Sequence, residues 1–231
     1  VLRIPEDLPE GQEVYNIVYG AFLNADISEL WFNEYERSYW LSDHSVSSEV
    51  VLYGYKNGGV VGYANREGNE FHTFFDFNGF FAVDGLLMSY NPENNSNPDP
   101  LYIPEAVTEI GEGVFYGDTS FTSVYFPSGI KSIGTNAFRD CTNLTSIVNN
   151  KLPSQLETLG DYAFYGCDNL DLTEVMIPDG LTTIGTDAFP TTYATGGSYY
   201  LKAAEESDVA VLLRQAGYQV NEVTVFEIDE D

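Results

Sequence analysis

Residues 133–144 read IGTNAFRDCTNL and residues 159–170 read LGDYAFYGCDNL, sharing Gly, Ala, Phe, Cys, Asn and Leu at an offset of 26. A phrase that recurs at this scale constrains the fold more than any single motif, because each copy must be a unit that stacks on its neighbours. Relatives lie on both sides: YIPEAVTEIGEGVFYGDTSFTSVYF from Tyr102, FPSGIKSIGTNAFRDCTNLTSIV from Phe126, LPSQLETLGDYAFYGCDNLDLTEVMI from Leu152 and IPDGLTTIGTDAFP from Ile177. Pro104, Pro127, Pro153 and Pro178 each stand eleven residues before Phe115, Phe138, Phe164 and Phe189. The intervals from each Phe to the next Pro are 12, 15 and 14, so length varies in one place only. Constant length on one side and tolerated insertion on the other predict the coils of a solenoid.

Each recurring letter has a physical role. The apolar residue before Pro ends a strand, and Pro prevents that strand from continuing. Ile133 or Leu159 turns inward, and the Gly after it is expected to permit a tight bend. Ala supplies close approach and Phe a large plug for the core. Asn143 and Asn169 are expected to satisfy backbone groups at a bend. Cys141 and Cys167 occupy equivalent places, with backbones roughly 5 Å apart in stacked coils, inside the range for a disulfide. Equivalent side chains point in parallel, which favours two buried thiols over a bridge and leaves the redox compartment open.

The pattern Ile-Pro-x-x-Leu-x-x-Ile-Gly-x-x-Ala-Phe-x-x-Cys-x-x-Leu resembles the BspA-like leucine-rich repeat family. The resemblance covers residues 102–190, and a degenerate copy is read at the N-terminus, where Ile4-Pro5 precedes Ile17, Ala21-Phe22 and Ile27-Ser-Glu-Leu30-Trp-Phe32. The expected fold class is α/β, a right-handed leucine-rich-repeat solenoid of about 23–26-residue coils with short parallel strands. Two stretches outside the repeats read as strand–helix–strand units. In the second, Val209, Leu212, Leu213 and Ala216 follow the i, i+3, i+4, i+7 rule, with Ser207 or Asp208 as N-cap and Gly217 as the C′ residue. Strands at 50–55 and 199–201 precede the helices, and strands at 70–75 and 219–228 follow them. Both units are similar to the closing elements of this family, as a stack needs to cover its terminal coil. Between them, FFAV (80–83) and LLMSY (86–90) flank Asp84-Gly85, a type I′ hairpin signal. The expected organisation is therefore 1–75 as a degenerate coil with a cap, 76–101 as hairpin and polar loop, and 102–231 as a repeat stack with its own cap.

Chemistry is sparse. Thirty-six acidic residues against nine basic ones give a formal charge of −27, which disfavours nucleic acid and anionic membrane surfaces. No apolar run reaches the ~18 residues a membrane span needs. The chain begins VLRIPED, without an initiator Met or signal peptide, and reads as a mature or trimmed sequence. His72 reads as a half-exposed strand residue, and the adjacency of Asp43, His44 and Ser45 does not make a triad. DISEL, DNLD and the terminal DED hold carboxylates suited only to weak Ca²⁺ binding. No GxGxxG, Walker or paired-Cys zinc motif is present, so no enzyme activity, metal or cofactor is expected.

The strand surface remains. Residues 27-30-32, 121-124-126, 144-147 and 172-175-177 should face the core. Trp31, Tyr125, Val148 and Met176 would then line up as an exposed apolar stripe, beside a row of Ser28, Ser123, Ser146 and Glu174. Open sheet faces of solenoids commonly bind partners, although such residues also stack on one another simply as sheet neighbours. The resemblance implies an exported or cell-surface bacterial protein that binds a protein partner, such as a host surface protein, in the manner of an adhesin. A spacer without a ligand and a carbohydrate-binding surface are the alternatives.

Overall fold

A computed structural model describes residues 2–4, 14–17, 26, 28–32, 38–41, 45–54 and 59–224. Phe22, with most of the degenerate N-terminal phrase, His44 and the terminal DED lie outside the described residues. The chain divides into two compact units, Val1–Phe77 with Phe81–Asp84, and Asn78–Phe80 with Gly85–Asp231.

In the first unit, strands β1 (Leu2–Ile4), β3 (Glu29–Phe32), β5 (Val51–Gly54) and β6 (Phe71–Phe77) run parallel in that order. β2 (Val14–Ile17) and β4 (Ser38–Leu41) form a separate parallel pair. Helix α1 (Gly59–Glu67) lies between β5 and β6 in sequence and ends where Gly68 takes φ +80°, a left-handed conformation that costs glycine no steric penalty. Alternate strand residues Leu30, Phe32 and Leu52 pack with Val60, Tyr63 and Ala64 of the helix. The buried Tyr63 hydroxyl accepts the Val46 amide at 2.9 Å. β7 (Phe80–Val83) and β8 (Leu86–Tyr90) flank the expected turn, where Asp84 and Gly85 take φ of 51° and 85°.

The second unit contains the repeats. β8, β10 (Glu109–Ile110), β12 (Ser132–Ile133), β14 (Thr158–Leu159) and β15 (Thr183–Ile184) pair in parallel. β9 (Leu101–Tyr102), β11 (Ser123–Tyr125) and β13 (Ser146–Ile147) form a second parallel sheet. In each repeat the recurring Phe stands five residues after the end of the first sheet's strand. Phe115, Phe138, Phe164 and Phe189 pile in one column, with ring centroids 4.7, 5.1 and 6.3 Å apart and planes within 16°. All four are at most 1% exposed, so the repeat is a packing unit. The residues expected to face the core between 121 and 177 are buried, as are Leu30 and Phe32; Ile27 is outside the described residues.

The four prolines do more than stop strands. Their carbonyls accept from Val107, Ile130, Leu156 and Leu181, three residues on, at 3.0–3.4 Å. Each proline therefore opens a turn that delivers an apolar residue to the core. The glycine after Ile110, Ile133, Leu159 and Ile184 differs from expectation, because none of these glycines has positive φ. A Cβ would lie 2.6 Å from Leu87 O at Gly111, 2.8 Å from Ile110 O at Gly134, 2.5 Å from Thr135 N at Gly160 and 2.3 Å from Asp161 N at Gly185. Glycine is required there by the close approach of the preceding repeat's backbone, not by a bend. Left-handed residues sit two positions before each column Phe instead: Gly113, Asn136, Tyr162 and Asp187, with φ of 63°, 57°, 57° and 48°.

Asn143 and Asn169 do satisfy backbone groups, but across repeats: their amides donate to Thr119 O at 2.8 Å and Thr142 O at 2.9 Å. The two cysteines are free and buried. Their Sγ atoms donate to Phe115 O and Phe138 O, each at 2.9 Å. The neighbouring Cys167, together with burial, pushes the Cys141 thiol well above its ordinary range.

After the last repeat, β16 (Leu201–Ala204), α2 (Asp208–Gln215) and β17 (Val220–Val223) follow, with β16 and β17 parallel. β16 starts at Leu201, leaving Tyr199 and Tyr200 in a preceding loop that Gln219 holds through Gly197 O and Tyr199 O. Ser207 caps α2 by accepting from Ala210 N, and Gly217 takes φ +90°. The amides of Phe115, Phe138 and Phe164 donate to Ala137, Ala163 and Ala188 of the next repeat at 2.7–2.8 Å. Phe189 has no next alanine, and its amide donates to the Tyr218 hydroxyl at 3.1 Å. Tyr218→Phe strands that buried amide, so we expect a loss of about 1–3 kcal/mol, read as a lower urea midpoint with faster hydrogen exchange at Phe189.

Candidate binding surface

The three-stranded sheet presents alternate side chains inward and outward. Leu101, Val124 and Ile147 are buried in register, which turns Tyr102 and Tyr125 outward. Tyr102 is 53% exposed, and its ring lies 5.6 Å from that of Tyr125 at a 41° tilt. The Tyr125 hydroxyl donates to Glu105 Oε1 at 3.1 Å, and that carboxylate holds the hydroxyl above its ordinary pKa.

The next level departs from expectation. Val148 is not the strand residue beside Met176. The chain leaves the strand after Ile147 in a 3₁₀ turn, Val148–Asn150. Lys151 then takes the position paired with Met176, and Met176 pairs in turn with Lys202 of β16. The turn absorbs the three extra residues that lengthen this repeat's Phe-to-Pro interval to 15 from 12. Val148 and Met176 are both half-buried, and Lys151 is exposed. The outward positions thus form two paired runs, Tyr102 with Tyr125, and Lys151 with Met176 and then Lys202, with Val148 at the start of the turn between them. Tyr102 and Lys151 were legible by counting back from proline, since Tyr102, Tyr125, Lys151 and Met176 each precede a repeat proline by two. Lys202, beyond the last repeat, carries no such signal.

Trp31 does not belong to this row. It lies on β3 in the other unit, in register with Tyr53, and is 8% exposed. Its ring stacks on Tyr53 at 3.9 Å and 1°, and meets the edge of Phe74 at 5.2 Å. Trp31 packs as a sheet neighbour, because Tyr53 on the adjacent β5 and Phe74 on β6 cover it.

Other polar clusters hold structure. His72 lies between Glu70 Oε1 at 3.0 Å and Asp84 Oδ2 at 2.5 Å. The Asp84 hydrogen bond, reinforced by Glu70 and opposed by partial burial, raises the imidazole's pKa. Although partial burial works the other way, His72 and the Thr73 amide keep Asp84 below the usual carboxylate range. Asp84 also accepts from the Thr73 hydroxyl, which pins the hairpin tip. Arg139 lies over the rings of Tyr116, Tyr162 and Tyr165 at 5.9, 5.2 and 5.3 Å, joining three repeats by cation–π contact. Asp171 of DNLD accepts from both the amide and the hydroxyl of Thr173. Among the described residues no three His, Cys, Asp or Glu side chains gather as a metal site, and no helix is long and apolar enough to cross a membrane.

Comparison with known proteins bears on the repeats. Residues 93–196 match the BspA type leucine rich repeat region, in six copies. A leucine-rich repeat protein of Bacteroides ovatus is similar at 27% identity over 60% of this chain, with a TM-score of 0.38; this chain spans 40% of its length. The T. pallidum leucine-rich repeat protein is similar at 18% identity over 97% of this chain and 86% of its own, with a TM-score of 0.36. No curated protein matches.

Proposed function

For a chain whose residues 93–196 match the BspA type leucine rich repeat region, we propose a non-enzymatic module that binds a protein partner through the outward positions of its three-stranded sheet and of the bridges at Lys151, Met176 and Lys202. Leucine-rich repeats are generally protein-interaction modules, and proteins of this type are typically secreted or on the bacterial surface. An adhesin-like role outside the cell is the specific form of this proposal. The observation that carries it is the exposed Tyr102 beside the half-buried Tyr125 on the outward side of the sheet.

Aromatic anchors at the centre of a contact supply most binding energy, and a net charge of −27 draws a basic partner from a distance. The 41° tilt between the rings and the tie of Tyr125 to Glu105 do not form a flat platform for a sugar ring, which favours protein over glycan. The strand–helix–strand segments at 51–77 and 201–223 serve in this proposal as the closing ends of two repeat stacks, 1–75 and 102–231, with 76–101 as hairpin and loop between them. Tyr218, completing the Phe189 rung, supports that role.

The test is a pair of lysine substitutions, Tyr125→Lys and Met176→Lys, both on half-buried outward residues. Retention of secreted and surface proteins on the immobilised chain is expected to fall at least tenfold, the scale of losing a hot spot, with the melting transition unchanged. Should the unmutated chain retain nothing from host-protein and glycan panels, the spacer alternative replaces this proposal.

A further inference from the structure

Resting on that function, the geometry points to the form of the partner: we infer that the row takes an extended peptide segment carrying a carboxylate opposite Lys151, and not a folded surface. These positions come from five successive coils, and at about 4.8 Å per coil they span about 19 Å. Its width is one residue. On one side lie Ser123, Ser146 and Glu174, and on the other the repeat prolines turn the chain away. A stable contact between folded surfaces covers about 800 Å² on each partner, which a row one residue wide does not offer. An extended chain advances 3.3–3.6 Å per residue, so about six residues span the row.

Charge sets the polarity of the segment. Lys202 Nζ is paired with Glu174 at 2.5 Å. Lys151 is exposed and has no ion-pair partner among the described residues. In a chain with four times as many acidic as basic side chains, 36 to 9, a free lysine inside the aromatic row marks where a negative group is accommodated. The surrounding field repels an acidic surface but admits a single carboxylate flanked by apolar residues. Strand addition at the sheet edge is disfavoured, since Pro98, Pro100 and Pro104 crowd β9 and blunt its backbone. Side chains on the face, with Tyr102 and Tyr125 holding an aromatic or proline residue, make the contact.

The experiment presents the whole chain with three probes: a displayed library of linear random dodecapeptides, a library of folded domains, and a glycan array. Linear peptides with an acidic residue next to aromatic or proline residues are expected to be enriched. Tyr102→Ala should weaken the selected peptides by on the order of tenfold. Lys151→Glu should abolish them and redirect selection to peptides with a basic residue at the same place. Both substitutions are at exposed positions, and unchanged circular dichroism and melting show that the fold is intact. Enrichment from the folded-domain library alone, dependent on Tyr125 and Met176, overturns the peptide inference and leaves the binding function standing. Retention of glycans alone, or of no probe at all, overturns both. Linear peptides indifferent to Tyr102→Ala and Lys151→Glu overturn the inference as well.

Discussion

Phe138→Ala is expected to lower stability by about 3–5 kcal/mol, the range for emptying an aromatic site in a core. Phe138 is flanked face to face by Phe115 at 4.7 Å and Phe164 at 5.1 Å, and edge-on by Phe126 at 5.5 Å. All are buried, so no exposed side chain can swing in to fill the void. Repeats touch only their neighbours, and loss at an interior rung separates the rungs on either side. The measurement is chemical denaturation together with amide exchange at Phe115 and Phe138, whose bonds to Ala137 and Ala163 bracket the gap. A loss under 1 kcal/mol would show that the column is not the source of cohesion.

Gly160→Ala is the second large effect, about 3 kcal/mol, at the upper end of overpacking. The added methyl would sit 2.5 Å from Thr135 N and 2.6 Å from Gly134 C. Both are backbone atoms, and Gly160 N is itself bonded to Ile133 O at 2.8 Å, so neither chain can retreat without breaking the rung. Gly129→Ala supplies the control: nothing lies within 4 Å of the added atom and its φ is ordinary, so its change should stay within about 0.5 kcal/mol. Equal melting temperatures for the two variants would refute the close-approach argument.

These two sites show how far the sequence reaches. The eleven-residue interval announces the column in the sequence itself, because a fixed spacing within a stacking unit puts equivalent side chains at equivalent places. The glycine column was equally visible as letters, yet its cause was not, since contact with the preceding repeat is a property of two segments and not one. Tyr162 hid its left-handed slot for a related reason: Gly113, Asn136 and Asp187 advertise positive φ, and a tyrosine does not. On the candidate surface, alternation puts Tyr125 and Met176 between buried neighbours, and both are half-buried. Val148 follows Ile147 as counted but opens the inserted turn, so Lys151 is the residue that pairs with Met176. The burial of Trp31 depends on Tyr53 and Phe74, which arrive from strands 22 and 43 positions later in the chain.

The turn at Val148–Asn150 lies on the solvent side of a rung whose proline and phenylalanine keep their distance. Chain can be added or removed there without moving one atom of the ring column. The molecule thus separates two freedoms, rigid where rings interlock and negotiable in length at the turn outside them. Grafting longer segments between Ile147 and Lys151 should remodel what is displayed while leaving the melting behaviour to the rings beneath.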